Sequence, residues 1–113
     1  MKRLLLCLLA LLPSILSAKP QILVASWYGP RHAGKRMADG HRFDPRALTC
    51  ASRVHALGQR LRLQIGPSVV FARVTDRGPY VRGRDLDLSQ AVAEALGMRR
   101  WGIAFVEVEE VAG

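Results

Sequence analysis

The sequence predicts a mainly β fold, a small closed barrel of six short strands with one short helix. Short segments rich in β-forming residues recur along the chain, and turns containing glycine and proline separate them. Most of these segments are apolar at alternate positions, so each strand has one face to bury. Closing the sheet into a barrel buries those faces in a short chain and removes exposed strand edges that promote aggregation.

The N-terminal segment, residues 1–18, has the pattern of a secretory signal peptide. Lys2 and Arg3 precede an unbroken run of nine apolar residues, and small residues follow up to Ala18. We therefore expect cleavage after Ala18 and export to the periplasm. The mature chain, residues 19–113, is long enough for one small domain and no more.

We expect no stable membrane anchor from this segment. The apolar run is too short to span a bilayer comfortably. Cys7 lies inside that run, too early for the processing site of a bacterial lipoprotein. The alternative is that the segment stays uncleaved and anchors the protein.

The chain is basic, with 17 lysine and arginine residues against 9 aspartate and glutamate residues. Two basic residues lie in the predicted signal peptide, so the mature domain keeps 15 of them and a net charge of about +6. Export argues against nucleic acid as the partner, and so does the lack of interleaved aromatic and basic residues. A cell-wall polymer carrying carboxylates, or anionic lipid head groups, fits an exported protein better, although a solubilising surface explains much of the charge.

Cys50 is the only cysteine of the predicted mature domain, so no intramolecular disulfide is expected. It lies in an apolar segment, which favours a buried, unreactive thiol over a catalytic thiolate activated by His55. The three histidines and Cys50 lack the short spacings typical of a zinc site. The sequence therefore predicts neither a metal nor a cofactor.

Six strands are predicted, at residues 22–28, 46–51, 60–65, 70–76, 84–88 and 103–108. The first is rich in β-branched and aromatic residues and ends at Gly29-Pro30. The third alternates cleanly, with Leu61, Leu63 and Ile65 on the inward face. A turn at residues 66–68 connects it to the fourth strand as a hairpin.

One helix is predicted, at residues 90–96. Ser89 is a favourable N-cap, and Gly97 falls where a glycine commonly ends a helix. Leu88, Val92 and Leu96 lie on one side at four-residue spacing, so this side is expected to pack on the barrel.

The clearest functional signal is at residues 70–79, where an apolar strand ends in Asp-Arg-Gly-Pro. Val70, Ala72 and Val74 share one face because side chains alternate along a strand, and Asp76 is expected next on that face. The turn that follows leaves Asp76 at the rim of a rigid element, a suitable place for an acid that meets a substrate. Alternatively, Asp76 only pairs with its neighbouring arginine or caps the turn.

The long segment at residues 29–45 has no periodicity, and long loops in small domains are often functional. It carries His41 and Asp44, three residues apart. Asp44 precedes a proline and is alternatively a turn-former, and His41 is alternatively an exposed loop residue. Before this loop, Trp27 and Tyr28 point to opposite faces, so one is expected in the core and the other toward a sugar, with Trp27 favoured for the core.

Several motifs follow one another in a recognisable order. They are Ala25-Ser26-Trp27-Tyr28-Gly29, Ala38-Asp39-Gly40 with Phe43-Asp44, Ala47-Leu48-Thr49, Asp76-Arg77-Gly78-Pro79, Asp87-Leu88-Ser89 and Leu96-Gly97-Met98. In this order and combination the chain resembles the rare lipoprotein A (RlpA) family over nearly the whole mature length. The resemblance implies a double-psi β-barrel and the activity of an endolytic peptidoglycan lytic transglycosylase that prefers glycan strands lacking stem peptides.

The resemblance also implies an active site. Asp76 matches the acid at the strand end, and Asp44 matches the acid of the loop motif. The family usually has glutamate where this chain has His41, and histidine where it has Ser52. Two of the four polar positions therefore differ, and the aspartate pair is kept.

A lytic transglycosylase, which is a lyase, cleaves the bond between N-acetylmuramic acid (MurNAc) and N-acetylglucosamine (GlcNAc) without water. The 6-hydroxyl of the sugar closes an anhydro ring, so one residue can act first as acid and then as base. We expect Asp76 to do this, Asp44 to stabilise the oxocarbenium-like charge, and His41 to assist proton transfer. The expected substrate contacts are Trp27, Tyr28, Arg77 and Ser52.

The expected partner is therefore the glycan strand of peptidoglycan, bound by a monomer. Two alternatives belong to other functional classes. The altered residues His41 and Ser52 favour a non-catalytic glycan-binding module of the same fold. An inhibitor or defence protein of the barwin type is less favoured, because those relatives are rich in disulfides.

Overall fold

The computed structural model describes residues 20–113, so the predicted signal peptide at residues 1–18 lies outside the described residues. The strands are β1 (Gln21–Trp27), β2 (Thr49–Ser52), β3 (Arg60–Ile65), β4 (Ser68–Asp76), β5 (Leu86–Leu88) and β6 (Ile103–Val111). Helix α1 spans Gln90–Ala95, and a short 3-10 turn covers Pro30–His32 in the long loop. Every predicted strand and the predicted helix are present.

The six strands form a closed barrel in the order β1-β5-β2-β4-β3-β6, with β6 paired to β1. The pairs β1–β5 and β2–β4 are parallel, and the other four are antiparallel. The predicted closed six-stranded barrel is therefore confirmed. Its crossed connections bring the ends of β1, β2, β4 and β5 together, although these strands are far apart in sequence.

The core fills the barrel interior and extends under α1. The alternation predicted for β3 is confirmed, since Leu61 and Leu63 are fully buried while Arg60 is exposed. The interior consists of buried apolar side chains, among them Ala25, Cys50, Val74, Leu86, Leu88, Val92 and Val106. Cys50 is a free, buried thiol, and burial raises its pKa to about 12, which keeps it protonated and unreactive.

Several predicted boundaries differ from the structure by one or two residues, and two differ by three. The second strand begins at Thr49 rather than at residue 46, because a turn occupies the preceding residues. The Ala47 amide donates to the carbonyl of Asp44 at 3.0 Å, and the Arg46 amide donates to the Asp44 carboxylate at 2.9 Å. The last strand continues to Val111 because β3 pairs with it along its whole second half.

Helix α1 is capped as predicted. The Ser89 hydroxyl accepts a hydrogen bond from the Val92 amide at 3.2 Å and donates to the Ala47 carbonyl at 2.7 Å. Gly97 follows the helix with φ of 71°, a conformation that favours glycine. No helix within residues 20–113 has the length and apolar character needed to cross a membrane.

Candidate active site

A row of four outward-facing side chains crosses the barrel wall where β1, β5, β2 and β4 lie side by side. The strand register aligns Ser26 with Asp87, Asp87 with Ala51, and Ala51 with Asp76. All four residues line one cavity of about 300 Å³. Laterally paired residues share a face of the sheet, so the two carboxyl groups are separated by a single alanine.

A register shift in the β2–β4 pair determines that Asp76 belongs to this row. Cys50 pairs with Val74, and the next residue, Ala51, pairs with Asp76, so Thr75 is the extra residue of a bulge. The expectation that Asp76 continues the inward face of Val74 is therefore wrong. The bulge leaves Thr75 buried, with its hydroxyl 3.3 Å from the sulfur of Met37 in the long loop, and directs Asp76 to the cavity.

Asp76 is held in place by the backbone. Its Oδ1 atom accepts hydrogen bonds from the amides of Ala38 and Arg77, each at 2.9 Å. The Asp39 amide also donates to the carbonyl of Thr75 at 3.1 Å, so the loop segment around residue 38 is fastened to the end of β4. No hydrogen bond from residues 20–113 reaches Oδ2, which leaves this oxygen for a ligand.

Asp87 is the second carboxyl group of the cavity. Burial raises its pKa, and the Asp76 carboxylate adds to this effect. The Ser26 hydroxyl donates to Asp87 Oδ1 at 3.0 Å, and together with nearby His32 and Arg84 it opposes the rise. Of the two carboxyl groups, Asp87 is the one whose raised pKa favours its protonated form.

Tyr28 lies against both carboxyl groups. Its ring packs on Phe43 with centroids 4.5 Å apart and on the edge of His32 at 5.3 Å. Its hydroxyl is buried and has no hydrogen-bond partner among the described residues. Burial, with the charges of Asp87 and Asp76, raises the pKa of Tyr28, so the phenol stays neutral and remains a donor.

Trp27 and Tyr28 point to different faces of the barrel wall, as expected, and the sugar contact stays a prediction. Trp27 pairs with Leu88 and packs against the hydrophobic core, while Tyr28 lines the cavity with the carboxyl groups. The indole also borders a neighbouring cavity, and the guanidinium of Arg99 lies 5.9 Å from its ring centroid.

Arg77 and Ser52 organise the loop that follows β2. The Arg77 guanidinium lines the cavity and donates to the carbonyls of Ser52 at 3.0 Å and His55 at 2.5 Å. Ser52 is fully buried, and its hydroxyl is 2.8 Å from Nδ1 of His55 and accepts from the His55 amide at 3.0 Å. Its contacts are therefore internal, and it does not line the cavity. The substrate contact expected of Ser52 has no support in this geometry.

His55 completes a buried arrangement with an acid on the other side of the ring. Its Nε2 atom lies 3.9 Å from the Glu110 carboxylate on β6. The order serine, histidine, glutamate resembles a nucleophilic triad, but Ser52 is sealed from solvent and accepts two backbone amides. We therefore assign these residues to holding the loop rather than to catalysis.

Asp44 and His41 lie outside the lining of the Asp76 cavity. Asp44 caps its own turn and borders a separate cavity beside Arg46 and α1. His41 is 82% exposed, and its ring lies 3.1 Å from the Asp39 carboxylate, which also accepts a hydrogen bond from the His41 amide at 2.9 Å. Burial raises the pKa of Asp39, but these two hydrogen bonds and the charge of His41 outweigh burial, so the net effect is a lowered pKa. The catalytic roles expected of both residues stay predictions, and the structure gives both a role in local loop structure.

The cavity also contains residues that the sequence analysis did not select, namely Asp87, His32 and Arg84. The signal for Asp87 was present, since the alternation of Asp85-Leu86-Asp87-Leu88 with both leucines buried turns Asp87 outward. His32 lies in an aperiodic loop and has no comparable signal. Within residues 20–113 no group of three or more histidine, cysteine or acidic side chains is arranged to hold a metal ion.

Comparison with known proteins finds the same family over the barrel. The family described as lytic transglycolase matches residues 21–108. A probable endolytic peptidoglycan transglycosylase RlpA from Synechocystis sp. is 44% identical over 91 residues, covering 78% of this chain and 28% of the relative. The RlpA proteins of Aquifex aeolicus and Neisseria meningitidis serogroup A are 46% and 38% identical, covering 70% and 77% of this chain and 36% and 37% of theirs.

The chain thus spans about a quarter to a third of the length of the curated relatives it matches. Among solved structures, a Streptomyces papain inhibitor superposes with a TM-score of 0.69 at 16% identity, covering 85% of this chain and 97% of the inhibitor. At this identity the likeness concerns the fold alone. The predicted double-psi β-barrel is confirmed.

Proposed function

The chain belongs to the lytic transglycolase family, and we propose that its barrel is an endolytic peptidoglycan lytic transglycosylase. Its substrate is the glycan strand, preferably a strand without stem peptides. The bond cleaved is that between MurNAc and GlcNAc, and the product ends in 1,6-anhydro-MurNAc. The relatives' names support the peptidoglycan substrate, and the bond and product are those that the family resemblance implies.

One observation carries this proposal: Asp76 and Asp87 face the same cavity across a single residue, Ala51. Asp76 is fixed by two amide donors on one oxygen and leaves the other oxygen for substrate. A proton donor of known position on rigid strands is what acid catalysis of bond cleavage requires.

The reaction needs two proton transfers, both through the same carboxyl group. Asp76 gives its proton to the oxygen that leaves with GlcNAc, which breaks the glycosidic bond. The 6-hydroxyl of MurNAc then attacks the anomeric carbon, and Asp76 takes the proton of that hydroxyl, so the enzyme returns to its starting state without water. Asp87 lies beside Asp76 in the same cavity, and burial together with the Asp76 charge raises the pKa of Asp87.

We assign to Asp87 the charge-stabilising role that was expected of Asp44. Its negative charge supports the positive charge that develops on the sugar ring as the bond lengthens. Tyr28 lines the same cavity, but its hydroxyl is buried, so we assign it no hydrogen bond to the substrate. We further propose an exported monomer that acts on the cell wall in the periplasm.

The test is digestion of peptide-free glycan strands with the purified protein, followed by mass spectrometry of the products. Anhydro ends are lighter by one water than the ends that hydrolysis produces, so the two reactions are distinguished directly. We expect anhydro ends from the wild type and a loss of roughly 10²- to 10⁴-fold in Asp76→Asn. The matched control is Glu109→Gln, a carboxyl group on β6 that pairs with Arg62 outside the cavity.

An Asp76→Asn protein that matches the wild type removes Asp76 from the mechanism. A second candidate function is a non-catalytic glycan-binding module, favoured by the position of Asp44 and His41 outside the cavity. Co-sedimentation with purified sacculi together with an absence of any cleaved product would support that function instead.

A further inference from the structure

The cavity with the two carboxyl groups borders a second, larger cavity of about 570 Å³. Four residues line both cavities: Tyr28, His32, Arg84 and Asp87. The two cavities therefore form one groove, which runs from the end of β4 past Tyr28 to the loop that follows β1.

The two halves of this groove differ in charge. The second half is lined by Arg31, Lys35 and Arg84 together with His32, and Asp87 is its one acidic residue. The ion pairs found within residues 20–113 all lie elsewhere, and none includes these three cations. Three cations that share one acidic residue and form no ion pair among the described residues leave an excess of positive charge, which attracts an anionic ligand.

The backbone that carries these cations is fixed. Arg31 lies in the 3-10 turn Pro30–His32. The Lys35 amide donates to the carbonyl of His32 at 3.1 Å, and the Lys35 carbonyl accepts from the Phe43 amide at 2.7 Å. The side chains of Arg31 and Lys35 thus extend from an ordered loop, and both residues are solvent-exposed.

We propose that the basic half of the groove, formed by Arg31, Lys35 and Arg84, binds a carboxylate of the glycan beside the bond that is cleaved. This inference rests on the proposed function. In a MurNAc residue without a stem peptide, the lactyl group ends in a free carboxylate. Attachment of a peptide converts this carboxylate into a neutral amide and leaves carboxylates only further out on the peptide, so the cations distinguish the two kinds of strand by the position of the negative charge.

The neighbouring aromatic residues fit the same ligand. Trp27 and Tyr28 line this half of the groove beside the cations. Aromatic side chains provide flat apolar surface for a sugar ring, and the guanidinium of Arg31 or Arg84 suits the planar geometry of a carboxylate. A groove that combines both features is suited to an acidic sugar rather than a neutral one.

The test separates charge recognition from cleavage. Glycan strands with free lactyl carboxylates are compared with the same strands after conversion of these carboxylates to primary amides. Binding of both is measured with Asp76→Asn, in which cleavage is blocked, and cleavage of both is measured with the wild type. We expect the free carboxylate to be preferred roughly tenfold or more in binding, with the preference falling as salt is added.

Charge reversal identifies the residues responsible. Arg31→Glu and Lys35→Glu are each expected to remove most of that preference, while binding of the amidated strand changes little. The control is Arg100→Glu, which changes the net charge equally at an exposed residue that lines neither cavity. Thermal unfolding of each variant verifies that the barrel is intact.

Equal binding of the free and amidated strands overturns the inference, and so does an equal effect of Arg100→Glu. These outcomes leave the proposed function standing if anhydro products still form. Conversely, a carboxylate preference without any cleavage supports the basic subsite and refutes the transglycosylase activity.

Discussion

Replacing Tyr28 by phenylalanine should stabilise the protein and leave its activity close to that of the wild type. The substitution keeps the ring that packs on Phe43 and His32 and removes only the hydroxyl. That hydroxyl is buried without a hydrogen-bond partner among the described residues, so folding removes it from water without replacement. Because it is buried, it is not exposed to a ligand in the cavity that Tyr28 lines.

The expected change in unfolding free energy is that of removing one buried hydroxyl group. An unsatisfied buried polar group costs about 1–3 kcal/mol, and the phenylalanine variant does not carry that cost. In a domain of this size, each kcal/mol raises the unfolding temperature by about 4–8 °C. We therefore expect an increase of at least about 4 °C in Tyr28→Phe, with glycan cleavage close to that of the wild type because the buried hydroxyl makes no contact with a ligand.

The assays are thermal and denaturant-induced unfolding of the wild type and the variant, with cleavage measured on peptide-free strands. Tyr80→Phe is the matched control, because Tyr80 is 79% exposed and its hydroxyl stays hydrated in the folded state. We expect no change of stability in this control. A decrease in the stability of Tyr28→Phe would mean that the hydroxyl has a partner in the folded protein, and our account of it would be refuted.

Three further substitutions test the site and the loops around it. Because burial raises the pKa of Asp87, ionisation of this carboxyl group destabilises the folded state. The unfolding free energy of Asp87→Asn should therefore rise relative to that of the wild type as the pH increases from about 3 to about 7, which unfolding measured across this range tests. Asp87→Asn should also slow glycan cleavage because the charge that supports the developing sugar cation is lost, and an unchanged rate would separate Asp87 from catalysis. Ser52→Ala should cost about 1–3 kcal/mol of unfolding free energy, because the buried ring of His55 loses its partner at 2.8 Å. Ser89→Ala should cost about 1–2 kcal/mol through loss of the helix cap, and unfolding curves that coincide with the wild type would contradict either of these last two predictions.

Local patterns were sufficient for most of the fold. The alternation at residues 60–65, the serine cap of α1 and the glycine after it depend on neighbours in sequence, and each is present in the structure. The barrel closure followed from the number of half-apolar strands. The start of β2 was predicted three residues too early because Ala47 and Leu48, which belong to the turn begun by Asp44, look like a continuation of the apolar strand.

The site was harder to predict, because it depends on contacts between distant segments. The face of Asp76 is determined by a bulge in the parallel pairing of β2 with β4, and no local alternation reveals that extra residue. Asp87 joins Asp76 only through the order of β5, β2 and β4 in the barrel. Ser52 was assigned to substrate by family position, whereas its contact with His55 three residues later turns it inward.

The groove combines residues on rigid strands with residues on a loop. Asp76 and Asp87, to which we assign proton transfer and charge stabilisation, lie on β4 and β5, while Arg31 and Lys35 lie on the loop between β1 and β2. Sequence changes in that loop can therefore alter the charge of the groove without displacing the two carboxyl groups. Under the proposed function, exchange of this loop between relatives should change which glycan strands are bound and leave the cleaved bond the same.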